Sequence, residues 1–106
     1  MLTSPGQPIT YKGPMAVLVN HGTGSASETL SGVLQSKRLA EIIGQQTAGA
    51  VYLKNIYDFE DNSALFMITS LTYYPDRRAF AYNGITPDIA VPEKADALQI
   101  ALEHIR

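Results

Sequence analysis

Short apolar runs alternate along this chain with turns rich in Gly, Pro, Asn and Asp. Residues 1–13 hold Pro5, Gly6, Pro8 and Gly13 and read as an extended lead-in. Met15-Ala16-Val17-Leu18-Val19 is unbroken and apolar, the pattern of a strand buried on both faces. It runs into Asn20-His21-Gly22-Thr23-Gly24, where glycines permit a sharp turn. Ala26, Thr29, Leu30, Val33 and Leu34 then recur at helical spacing, which predicts a helix over Ala26 to Gln35 with that stripe buried. Lys37 and Arg38 fall at its end, where cations suit the helix dipole.

Ala40 to Ile43 predicts a second buried strand, closed by Gly44. The turn Thr47-Ala48-Gly49-Ala50 leads into a β-rich run from Val51 to Phe59. Glu60-Asp61-Asn62-Ser63 is a hairpin-type turn between that run and Ala64–Tyr74. Pro75-Asp76 starts a further turn, a short strand is expected near Ala79–Tyr82, and Asn83-Gly84 turns the chain into an extended stretch from Ile85 to Val91. Beyond Pro92, a closing helix is expected to bury Leu98, Ala101, Leu102 and Ile105. No internal repeat interrupts this order. It predicts an α/β fold: a mixed β-sheet with flanking helices.

Composition narrows the chemistry. At 106 residues the chain suits one domain or part of one. Its hydrophobic fraction of 45% and charged fraction of 17% are ordinary for a globular protein. A formal net charge of −2, with scattered basic residues, offers no footprint for nucleic acid. Without cysteine there is no thiol catalysis, disulfide or thiolate metal site. No apolar run approaches the ~20 residues of a membrane span.

Two readings meet at Ser25. Ser25-Ala26-Ser27-Glu28 fits a capping box, in which the Ser25 hydroxyl satisfies an orphan backbone donor for about 1 kcal/mol. The same strand–glycine turn–helix unit also presents a serine to a cleft, with the Ala26 N–H aimed where an oxyanion would develop. Local spacing leaves both open.

Longer-range matches bring in a family. Gly13-Pro14-Met15-Ala16-Val17-Leu18-Val19-Asn20, then Gly24-Ser25-Ala26-Ser27-Glu28, resembles the nucleophile region of tail-specific, or carboxyl-terminal processing, serine peptidases. Collinear matches follow at Gly32, Leu34 and Gln35, at Ile42-Ile43-Gly44, at Thr47 and Gly49, at Asp61-x-Ser63-Ala64-Leu65, and at Thr69, Tyr73-Tyr74 and Arg78. Gly84-Ile85-Thr86-Pro87-Asp88-Ile89 is similar to the G-I-T-P-D-I signature. The resemblance covers about residues 10–106 and implies a partial core of the ClpP/crotonase type. It implies Ser25 as catalytic nucleophile, the Ala26 N–H in the oxyanion hole, a polypeptide substrate, and no cofactor or metal. It also implies a bacterial periplasm or cell-envelope setting.

The pattern also breaks. The resemblance implies a lysine base in T-x-G-K, yet that position is Ala50, and a serine hydroxyl is a weak nucleophile without a neighbouring base. Ala81 and Ser36 replace a glutamine and an aspartate common in the family. Thr47-Ala48-Gly49-Ala50 resembles a tricorn-like branch in which histidine is the base. Within the chain, His21, His104 and Lys54 read more simply as turn, surface and rim residues. The expectation is therefore the C-terminal part of a catalytic core, inactive by itself because it lacks a base at position 50 and an upstream oxyanion strand. Unpartnered apolar strands are expected to drive self-association. A catalytically inactive, peptide-binding or self-assembling relative is the alternative.

Overall fold

The computed structural model describes Gly6, residues 11–74 and residues 82–105. The expected strand at Ala79–Tyr82 falls almost wholly outside the described residues, as do Arg78, Ala81 and most of the lead-in. The elements are β1 (Ala16–Val19), α1 (Ala26–Ser36), β2 (Glu41–Gly44), β3 (Tyr52–Asp58), β4 (Ala64–Leu71), β5 (Ile89–Ala90) and α2 (Ala97–His104).

The α/β class holds, but the strands divide into two sheets. β1, β2 and β5 form a parallel sheet in the order β1-β2-β5, whereas β3 and β4 form a separate antiparallel ribbon. Val17 lies opposite Ile42, and Leu18 opposite Ile43. Successive side chains point to opposite faces of a strand, so Ile42 and Ile43 seed two cores. Ile42 packs with Val19, Val51 and Ile85 on one face. Ile43 packs with Val91 and Ala101 on the other. Gly44 closes β2 with φ +137°, and a Cβ there would meet the Val19 carbonyl oxygen at 1.9 Å. Only glycine fits this approach.

Helix α1 starts and stops where the sequence predicts, but turns another face inward. Glu28, Ser31 and Gly32 are buried, while Leu30 is 61% exposed and Val33 is exposed too. Small residues let the helix backbone approach the sheet, and the Glu28 carboxylate is held by polar partners rather than by water. The helix ends in a Schellman turn: Leu39 N–H donates to the Leu34 carbonyl at 2.9 Å and Arg38 N–H to Gln35 at 3.0 Å. Arg38 takes the left-handed position at φ 54°, so it shapes the helix end.

Helix α2 differs in phase as well. Its N-cap is Asp96, whose side chain accepts the Gln99 N–H at 3.1 Å. Starting there, Ala97, Ile100 and Ala101 meet the sheet. Of the expected stripe only Ala101 is buried; Leu98 is 56% exposed and Leu102 faces out with it. Two alanines permit an approach that two leucines would prevent.

The ribbon has apolar residues on both faces and little cover. Its tip follows the predicted turn: Asp61 accepts the Ser63 N–H at 3.0 Å and the Ser63 hydroxyl at 2.6 Å, and Asn62 is left-handed at φ 65°. Ile56 lies opposite Phe66 and Tyr57 opposite Leu65, and all of these are exposed. The register shifts at Leu53/Lys54, where β4 carries an extra residue, Thr69.

Candidate active site

The site is built where β1 ends and α1 begins. Asn20 shapes the intervening turn, its side chain accepting the Gly22 N–H at 2.8 Å while its N–H donates to the Thr23 hydroxyl at 3.0 Å. The chain then reaches Ser25 with φ 57° and ψ −126°, a backbone conformation that non-glycine residues rarely adopt. Holding it costs on the order of 1–3 kcal/mol, and such strain collects at functional sites. Ser25 is exposed at the mouth of the helix.

Ser25 and Glu28 face each other in the expected capping box, with both of its contacts present, but only one of the two has hydrogen-bond geometry. The Glu28 carboxylate accepts the Ser25 N–H at 3.1 Å. The Ser25 hydroxyl makes no capping bond, and the Glu28 N–H goes instead to the Ser25 carbonyl at 3.0 Å. Among the described residues the Ala26 and Ser27 N–H groups donate to no partner. A hydroxyl without a capping hydrogen bond therefore stands beside free donors at the positive end of a helix. A groove of about 570 Å³ passes this turn, lined by Leu18, Gly24, Ser27, Leu30 and Ser31 among others, but neither Ser25 nor Ala26 is in its lining.

Beneath the serine lies a residue that local reading cast only as a cap. Glu28 has no exposed surface, and everything around its carboxylate donates. Oε1 accepts the Thr47 hydroxyl and the Gly49 N–H at 2.7 Å. Oε2 accepts the Ala50 N–H at 2.9 Å and the Ser25 N–H at 3.1 Å. Hydrogen bonds to a charged group are worth about 1.5–3 kcal/mol each, enough to offset burial and to hold Ser25 in its strained form. Because one oxygen serves both, the Ser25 and Ala50 nitrogens lie at most about 6 Å apart. Position 50 is thus brought to the serine, but its methyl group cannot take a proton. The missed signal was tertiary: three of the four donors come from residues 47–50.

A second set of bonds ties this loop to Gly84–Asp88. The Thr47 hydroxyl accepts the Ile85 N–H at 2.6 Å. Gly49 sits at φ 75°, where a Cβ would meet the Tyr82 backbone at 2.7 Å, and its carbonyl accepts the Tyr82 N–H at 2.7 Å. Asp88 accepts the Ile42 N–H at 2.7 Å and the Gln35 amide at 3.0 Å. The signature-like turn is therefore scaffolding, locked to β2 and α1.

The other candidate bases lie elsewhere. His21 lines a cleft of about 600 Å³ with Gln45, Pro92 and Glu93, and makes no hydrogen bond or ion pair among the described residues. The Lys54 ammonium sits 4.7 Å over the Phe66 ring on the ribbon. His104 Nε2 lies 3.5 Å from Glu41 Oε1. None is joined to Ser25. No helix among the described residues is long and apolar enough to cross a membrane.

Comparison with known proteins bears on this arrangement. The model of peptidase family S41 matches residues 2–91. A carboxy-terminal-processing protease of Bartonella bacilliformis is 40% identical over 98 residues, covering 89% of this chain and 23% of the relative. Carboxyl-terminal-processing peptidase 2 of Arabidopsis thaliana, chloroplastic, is 35% identical over 80 residues, covering 76% of this chain and 16% of its own length. The solved photosystem II D1 C-terminal processing protease superposes with a TM-score of 0.67 at 30% identity, over 87% of this chain and 24% of that one. The chain thus spans about a quarter or less of each of these three proteins. With that match running from before β1 into β5, the chain belongs to peptidase family S41.

Proposed function

We propose that this chain carries the nucleophile of a serine endopeptidase that cuts polypeptides near their C-termini, on a core of the ClpP/crotonase type. Ser25 Oγ attacks the scissile carbonyl carbon and gives up its proton to a base. The Ala26 N–H stabilises the oxyanion, and the returning proton leaves with the amine as the acyl-enzyme forms. Water then hydrolyses the ester. One observation carries this reading: a strained, exposed serine whose hydroxyl faces the Glu28 N–H in a capping box without forming a hydrogen bond to it. Position 50 cannot be the base, so the base is another residue of the working enzyme. That same alanine favours a second reading, a relative that binds peptides without cutting them.

A serine-directed phosphonate separates the two. The wild-type chain of 106 residues is expected to be unreactive. Ala50→Lys, which places an amine where the carboxyl-terminal-processing pattern writes lysine, is expected to be labelled at Ser25, and Ala50→Lys with Ser25→Ala is not. If Ala50→Lys stays unlabelled while folded, a lysine at position 50 does not activate Ser25 in this chain, and the result counts for the binding reading. Wild-type labelling that vanishes in Ser25→Ala would place a base inside this chain.

A further inference from the structure

We infer that Thr47 is a positioning residue for Ser25, acting through Glu28; the inference rests on the reading of Ser25 as nucleophile. Thr47 is buried, and among the described residues its hydroxyl has two hydrogen-bond partners. It accepts the Ile85 N–H at 2.6 Å, which leaves its hydrogen directed at Glu28 Oε1. The Thr47 N–H donates in turn to the Ile85 carbonyl at 3.2 Å, so the residue is held from both sides. A carboxylate turns about its last side-chain torsion, which is broad and soft. Without the hydroxyl, Oε1 keeps only the Gly49 N–H, and rotation carries Oε2 away from the Ser25 and Ala50 donors. Thr47 therefore fixes the carboxylate plane, and the plane fixes where the Ser25 backbone sits. The requirement is for a hydroxyl, not for bulk: valine fills the same space without the donor, whereas serine supplies the donor without the methyl.

The test is a ¹H–¹⁵N spectrum of the full chain with amide exchange measured residue by residue. In wild type and Thr47→Ser, the Ser25 and Ala50 amides are expected downfield and protected. In Thr47→Val they are expected to move upfield and exchange about tenfold or more faster, while the Gln99 amide of α2 is unchanged. A folded Thr47→Val with wild-type Ser25 and Ala50 amides would overturn the inference, and so would a Thr47→Ser chain that behaves like Thr47→Val. Should Thr47→Val not fold, Thr47→Ala carries the same comparison, and Thr47→Ser remains decisive through its own Ser25 amide. Phosphonate labelling of the Ala50→Lys chain is scored separately. An unreactive Ser25 whose amide follows Thr47 sinks the nucleophile reading alone, and a reactive Ser25 whose amide ignores Thr47 sinks the positioning role alone.

Discussion

Glu28→Gln exchanges one oxygen for an NH₂ at a site where every neighbour donates. The amide has two ways to sit. With its nitrogen at the Oε2 position it faces the Ser25 and Ala50 N–H groups and strands both. With its nitrogen at the Oε1 position it faces the Thr47 hydroxyl, which can turn to accept, and the Gly49 N–H, which cannot. The second orientation keeps the Ser25 and Ala50 bonds, yet it leaves the Gly49 N–H unpaired and, because the Ile85 N–H already donates to the Thr47 oxygen, the Thr47 hydrogen without an acceptor, at about 1–3 kcal/mol each. The surviving bonds also lose their charge assistance, at roughly 0.5–1 kcal/mol apiece. Together these predict a loss of at least about 3 kcal/mol, a large part of the ~5–15 kcal/mol that holds a typical domain folded. Urea denaturation followed by circular dichroism at 25 °C measures it, the midpoint falling with little change in slope. A folded variant within about 1 kcal/mol of wild type would mean that the carboxylate network does not carry the turn in solution, and the account of Ser25 built on it would fall.

Gly44→Ala should cost about 3 kcal/mol or more by the same assay, since its Cβ meets the Val19 carbonyl at 1.9 Å with φ at +137°; a tolerated alanine would refute that packing. The ribbon tip should respond to acid. The Ser63 hydroxyl, with help from the Ser63 N–H, holds the Asp61 carboxyl below its ordinary value of 3.8. A depressed carboxyl contributes stability that is complete above the unfolded value and disappears as pH falls through the lower folded one. The Ser63 amide should therefore keep its position down to about pH 4 and move only below it, and Asp61→Asn should remove that dependence; a transition centred near neutral pH would contradict the assignment. The chain should also self-associate, because Ile56, Phe66, Leu65 and Tyr57 are exposed on the ribbon and Leu30 and Val33 on α1. Light scattering across a concentration series checks this, and a strict monomer at high concentration would count against it.

What the sequence makes legible here is local. The run before Asn20, the helix after Gly24, the strand closed by Gly44 and the hairpin tip at Asp61–Ser63 can each be read from a few adjacent residues, and the structure has them. Which face each helix buries could not be read that way. Periodicity nominated Leu30, Val33, Leu98 and Leu102, which face out, while the sheet is met by Ser31, Gly32, Ala97 and Ile100; of the stripe nominated in α2, Ala101 is buried as expected. Close backbone approach needs small side chains, and apolar periodicity is blind to size. Glu28 shows the same limit in the site. Its position in Ser25-Ala26-Ser27-Glu28 suggested a cap, and the Glu28 carboxylate does accept the Ser25 N–H in that box. Its larger role depends on donors at Thr47, Gly49 and Ala50, which no helical pattern reports.

The strained backbone at Ser25 also bears on the routes mutation leaves open to this chain. Glycine adopts φ 57°, ψ −126° without the steric penalty that serine bears, and even after its own loss of chain entropy a Ser25→Gly chain should fold about 1 kcal/mol more stably. A lineage no longer selected for a hydroxyl at this position would therefore gain stability by losing it, through a single substitution that runs downhill in folding free energy. On the proposed reading of Ser25 as nucleophile, inactivation is the easy direction of drift at this position. Keeping the serine requires selection that outweighs the gain, as expected where activity and stability pull one residue in opposite directions.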